Sequence, residues 1–93
     1  MYAIVCFDRP DSQSLRDAHR AAHQDFLKQH SARVVFGGPL KGTPEGPSTG
    51  ALIVVSCATR KEAEDFIGAD PFYRHGVYES VALRAFKQVF PQK

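Results

Sequence analysis

Ninety-three residues with a formal net charge of +2 make one domain, 1–93, with a small core. Hydrophobic residues at 43% and charged residues at 24% are ordinary for a soluble globular chain, and the scattered basic residues exclude a nucleic-acid-binding stripe. No apolar run approaches the roughly 18 residues of a membrane span, and the first ten residues lack a charged n-region, so a cytoplasmic location is expected.

In chain order, "YAIVCF" (2–7) is rich in β-formers and stops at "DRPDS", where Pro10 breaks it. Asp11 or Ser12 can cap a helix expected over 12–31. On a wheel of about 100° per residue, Leu15, Ala18, Ala22 and Phe26 form its apolar stripe. "ARVVFGGPL" (32–40) reads as a strand ending in Gly37, Gly38 and Pro39, and 41–50 as a Gly/Pro-rich loop. "ALIVVSCA" (51–58) is the third strand. Thr59 and Glu62 then form a capping box, opening a helix to Gly68 that turns Ala63, Phe66 and Ile67 inward. "ADPFYRHGV" is a break, and 78–90 reads as one long last strand.

The order β-α-β-β-α-β predicts an α+β fold, the ferredoxin-like sandwich with both helices on one face of an antiparallel sheet. "AIVCF", "VVF" and "ALIVV" are apolar at consecutive positions, so both sheet faces call for burial and two helices cover only one. A homodimer packed through its sheet faces is therefore expected. Cys6 and Cys57 fall in or beside apolar strands and read as small core residues.

"DAHRAAH" (17–23) places two histidines four apart, a spacing that can present both rings to one metal. Arg20 stands where the zinc motif carries Glu, and further ligands are missing, so no metal is expected. The wheel puts His19 near the middle of the buried arc, as a core histidine bonded to backbone. His30, in the last turn, suits the helix C-terminus. His23 comes at the arc's edge, where a cleft between helix and sheet opens. Asp70 precedes Pro71, which forces it out of the helical region and aims its carboxylate. The glycines of "FGGPL" allow close backbone approach to a ligand or a second subunit, and a plain turn explains them equally well.

These pieces carry a resemblance. "RAAHQDFL" (20–27), "GGPL" (37–40), "ALIVV" (51–55) and "ADPFYRHGVYESVALRAFKQVF" (69–90) resemble the YCII-related (YciI-like) proteins over nearly the whole chain. The resemblance implies the dimeric α+β barrel class and a His-Asp dyad carried onto His23 and Asp70, with Pro71 orienting the pair. One characterised branch resembles a dehydrochlorinase that eliminates HCl from a chlorinated hydroxyhydroquinone. In that scheme Arg20 and a serine at the start of the third strand steady an oxyanion. Here Ala51 takes the serine's place, with Ser48 and Thr49 nearby, which leaves that strand's role open.

The expectation is a cofactor-free lyase or isomerase acting on a small cyclic or aromatic molecule. His23 is its general base, Asp70 fixes the tautomer, and Arg20 holds the anion. Phe26, Leu27, Phe36 and Phe72 are the expected pocket wall. The alternative is a non-catalytic ligand-binding or assembly module in which His23 and Asp70 form a structural tie. A cofactor-free monooxygenase or a muconolactone-isomerase-like enzyme is a third reading.

Overall fold

A computed structural model describes residues 1–92. The elements are β1 (Tyr2–Asp8), α1 (Gln13–Gln29), β2 (Val34–Lys41), β3 (Ser48–Val55), α2 (Arg60–Gly68), α3 (Pro71–Arg74) and β4 (Tyr78–Ala85). The strands form one antiparallel sheet in the order β2-β3-β1-β4. This is the ferredoxin-like βαββαβ arrangement, the unit of the dimeric α+β barrel class, with one added turn of helix in the expected break.

Alternation in the central strands sets the two faces. Ile4 and Cys6 of β1, Ile53 and Val55 of β3 and Leu83 of β4 join Phe26, Phe66 and Ile67 of the helices in the core. Thr59 begins α2 as the capping box requires: its Oγ1 accepts from the Glu62 N–H at 3.2 Å, and its hydroxyl donates to the Glu62 carboxylate at 3.3 Å. The opposite sheet face carries Ala3, Val5 and Phe7, which alternate with the core residues of β1. Val54 on β3 is buried yet lies outside the helix-side core, between Ala3 and Phe36 in the ladder.

Several expectations need correction. The inward arc of α1 is turned by about 90° from the Leu15–Ala18–Ala22 stripe. Leu15 is 38% exposed and both alanines are exposed, while Arg16 and Phe26 are buried. Burial of Arg16 is tolerated because its charge is paired inside, so hydrophobicity alone misplaced the face. The last strand ends at Ala85, not at residue 90, because β1 starts at Tyr2 and offers no further partner once the Phe86 N–H has reached the Met1 carbonyl at 2.9 Å. The 41–50 loop shrinks to 42–47, since Lys41 pairs with Ser48 and Leu40 with Gly50. Backbone pairing carries Lys41 and residues 48–50 into the strands without apolar side chains.

Candidate active site

Pro71 excludes the helical region for Asp70, whose backbone is extended (φ −64°, ψ 126°) at the N-cap of α3. Its carboxylate is wholly buried. Oδ1 accepts from the Phe72 N–H at 3.0 Å and pairs with His23 Nδ1 at 2.8 Å, while Oδ2 accepts from the Tyr78 hydroxyl at 3.3 Å. A charge so deep is sustained by donors on both oxygens.

The same contacts assign the imidazole. A carboxylate only accepts, so Nδ1 of His23 carries the proton and Nε2 the lone pair. Nε2 has no protein partner among the described residues. Since no buried side-chain nitrogen or oxygen there lacks a partner, Nε2 is open, and His23 lines a cleft of about 210 Å³ between α1 and the sheet. An apolar cavity of roughly 150 Å³ holds benzene, so the cleft suits one substituted ring.

Burial first, then the Asp70 charge, drives the Tyr78 hydroxyl far above the usual phenol range. It therefore stays a donor to Asp70. Burial, with the Asp70 charge second, pushes the Cys6 thiol from 9.0 up to about 12, so this free cysteine is an inert core residue.

The expected residues divide clearly. Arg20, Leu27 and Phe72 line the cleft with His23, as do Gly37 and Gly38. Arg20 is half exposed and paired with Asp17 at 2.9 Å, at the mouth. Two residues of the expected wall are absent from it. Phe26 lies in the core, with its ring centroid 5.0 Å from that of Phe66. Phe36 is 49% exposed on the other sheet face, because an irregularity between Val34 and Phe36 inverts the alternation and pairs Phe36 with Val54. Ser48 and Ala51 both line the cleft, whereas Thr49 is exposed and donates to the Leu40 carbonyl at 3.3 Å.

The other histidines go elsewhere. His19 is not bonded to backbone but stacks on His75, with centroids 3.8 Å apart and planes 4° apart. His30 Nδ1 pairs with the Phe26 carbonyl at 2.8 Å, at the C-cap of α1. Among the described residues, no three of His, Cys, Asp and Glu gather as metal ligands, and no helix is long and apolar enough to cross a membrane.

The YCII-related domain matches residues 1–87. The chain belongs to the YCII-related family. It is 29% identical over 97 residues to protein YciI of Escherichia coli O6:H1, covering 97% of this chain and 99% of that one. A Haemophilus influenzae protein is 33% identical over 96 residues, covering 96% and 98%. Among solved structures, the 5-chloro-2-hydroxyhydroquinone dehydrochlorinase TftG of Burkholderia phenoliruptrix AC1100, in complex with 2,5-dihydroxybenzoquinone, superposes with a TM-score of 0.85. Its identity to this chain is 28%, over 92% of each.

In this YCII-related chain, sequence reasoning passed over three site residues: Arg16, Asp8 and Tyr78. Arg16 Nε and Nη2 bind both oxygens of Asp8, and Nη2 also donates to the Gly50 carbonyl at 3.0 Å. The guanidinium carbon lies 4.9 Å from the centroid of Phe72, the ring on which His23 stacks at 4.1 Å. A signal was present: Arg16 is seven residues before His23, on the same side of the helix.

Proposed function

We propose that the protein is a cofactor-free enzyme of the lyase or isomerase type in which His23 acts as general base on a small hydroxylated ring. The observation that carries this reading is the 2.8 Å contact of His23 Nδ1 with the buried Asp70, which leaves Nε2 as acceptor at the cleft. Asp70 fixes the tautomer and orientation and stabilises the imidazolium formed when Nε2 takes a proton. Pro71 holds Asp70 in its extended conformation, and Phe72 braces the imidazole from one side. Arg20, at the mouth, attracts the negative charge that develops on the ring.

Dehydrochlorination, the activity named for the structural relative, fits this apparatus. Nε2 takes one ring hydroxyl proton and returns it to the chlorine-bearing carbon, giving the keto form. It then takes a second hydroxyl proton; the O–H pair becomes a carbonyl, the ring π electrons shift, and chloride leaves with the C–Cl pair. The product is a hydroxyquinone, and no external oxidant is required.

The test is chloride release and quinone absorbance with chlorinated trihydroxybenzenes, alongside titration with 2,5-dihydroxybenzoquinone. Turnover abolished in His23→Gln at an unchanged melting temperature supports the base. A large stability loss with no turnover in the wild type favours the structural tie of a binding module instead.

The active form we propose is a homodimer joined through the helix-free sheet faces. Phe7 and Phe36 are 52% and 49% exposed there, around Val5 and Leu52. Water-exposed aromatics on a continuous sheet face favour burial against a second copy.

A further inference from the structure

We propose that Arg16 is a catalytic residue: the oxyanion donor that shares the cleft with His23, seven residues before it on α1, and selects an anionic ring oxygen. The proposal rests on reading His23 as base and adds the group that receives the resulting charge. Arg16 Nε and Nη2 are committed to Asp8 and Gly50, but Nη1 has no protein partner among the described residues. Arg16 is only 5% exposed, and no buried side-chain nitrogen there is left without a partner. Nη1 must therefore reach the surface, and the cleft that Arg16 lines is the one that holds His23.

The donor is held rigidly. The fork on Asp8 fixes the guanidinium plane, and the Gly50 carbonyl fixes its second edge. Gly50 itself cannot shift outward with a side chain, because a Cβ there would lie 2.1 Å from the Cys6 carbonyl oxygen. A donor fixed in advance loses no orientational freedom when charge develops, which is what oxyanion stabilisation requires. Arg20, exposed to solvent and counterions and paired with Asp17, lacks that preorganisation.

Position agrees with the role. His23 and Arg16 line the same cleft of about 210 Å³, so a ring bound there can meet both, and Phe72 braces both side chains, at 4.1 and 4.9 Å from its centroid. Asp8 neutralises the arginine's charge, leaving a directed N–H donor in a mostly apolar cleft. The substrate class is thus a single ring whose hydroxyl ionises in the site. Its O–H bond breaks, an N–H bond forms on Nε2, and the electron pair stays on the oxygen that accepts from Nη1.

The experiment compares two catechols of similar size, 4-nitrocatechol as its monoanion and 4-methylcatechol, which stays neutral in solution, by calorimetric titration at mildly alkaline pH. Wild type should favour the anion by about ten- to a hundredfold, the usual size of a hydrogen bond to a charged group. Arg16→Lys keeps a cation for Asp8 but removes Nη1, and should bring the ratio close to one. A matched neutral variant, Asp8→Asn with Arg16→Gln, should do the same if the lysine variant folds poorly. Equal affinities in the wild type, or a ratio kept in both variants, would overturn the proposal. Turnover retained by His23→Gln would refute the base reading separately, because the binding ratio does not depend on the base.

Discussion

The His23 imidazole lies flat on the Phe72 ring, with centroids 4.1 Å apart and planes 11° apart. Phe72 is 2% exposed and follows Pro71 on α3, while its own N–H caps onto Asp70. One short turn therefore supplies the carboxylate that holds the histidine's nitrogen and the ring that holds its plane. Two fixed directions leave the imidazole a single orientation, with Nε2 toward the cleft.

Replacing Phe72 tests that brace. Phe72→Ala should lower stability by about 3–5 kcal/mol, the range for a buried phenylalanine. Phe72→Leu should cost much less stability yet reduce kcat, because the flat support is gone while volume is largely kept. Urea denaturation and steady-state kinetics on the two variants separate these effects. A Leu variant with wild-type kcat would show that the stack has no part in orienting His23.

Asp70→Ala leaves three donors, from His23, Phe72 and Tyr78, facing a void. At about 1–3 kcal/mol for each buried group left unpaired, the loss is a large share of a small domain's stability. Asp70→Asn keeps the volume but can accept only through its amide oxygen. It should lower activity strongly through the wrong tautomer, with a smaller drop in melting temperature.

The Arg16–Asp8 pair is nearly closed to solvent, with side chains 6% and 5% exposed. Arg16→Met alone strands the Asp8 carboxylate and should destabilise by about 3–5 kcal/mol. Adding Asp8→Leu should restore much of that loss, since two apolar residues remove both buried charges. Chemical denaturation of the two single variants and the double variant measures the coupling. Additive losses would mean the pair is not desolvated as described.

Stability should fall at alkaline pH through Cys6 and Tyr78. Both are held protonated in the folded state: Cys6 from 9.0 up to about 12, and Tyr78 upward from 10.0. Above 9 the unfolded chain releases protons that the folded chain retains, so these groups favour folding below that point and lose their contribution as pH rises. Cys6→Ala and Tyr78→Phe should each flatten the decline of melting temperature between pH 9 and 12. An unchanged slope in both variants would count against their burial as protonated groups.

Phe36→Glu places a charge on the helix-free sheet face without touching the cleft. Sedimentation should show a wild-type dimer at micromolar concentration and a monomer for this variant. A wild-type monomer would contradict the dimer proposal.

Order and type of every element except the short α3 were determined by sequence alone, because local signals agree there. β-formers stop at Pro10, the Thr59–Glu62 capping box opens α2, and Pro71 forces Asp70 into an extended conformation. The helical wheel and the resemblance singled out His23 and Asp70, although the arginine spacing fits both histidines: Arg16 precedes His19 by three residues, as Arg20 precedes His23. Tertiary structure brings His23 to Asp70 and sends His19 to His75, a partner the sequence did not indicate. It also turned α1 so that a buried arginine replaced an apolar stripe, and reversed Phe36 through one irregularity in β2. The physical reason is common to these cases. Hydrophobic periodicity registers which residues avoid water, whereas a paired charge is buried only by a partner from a distant strand, and one extra strand residue reverses which way every later side chain points.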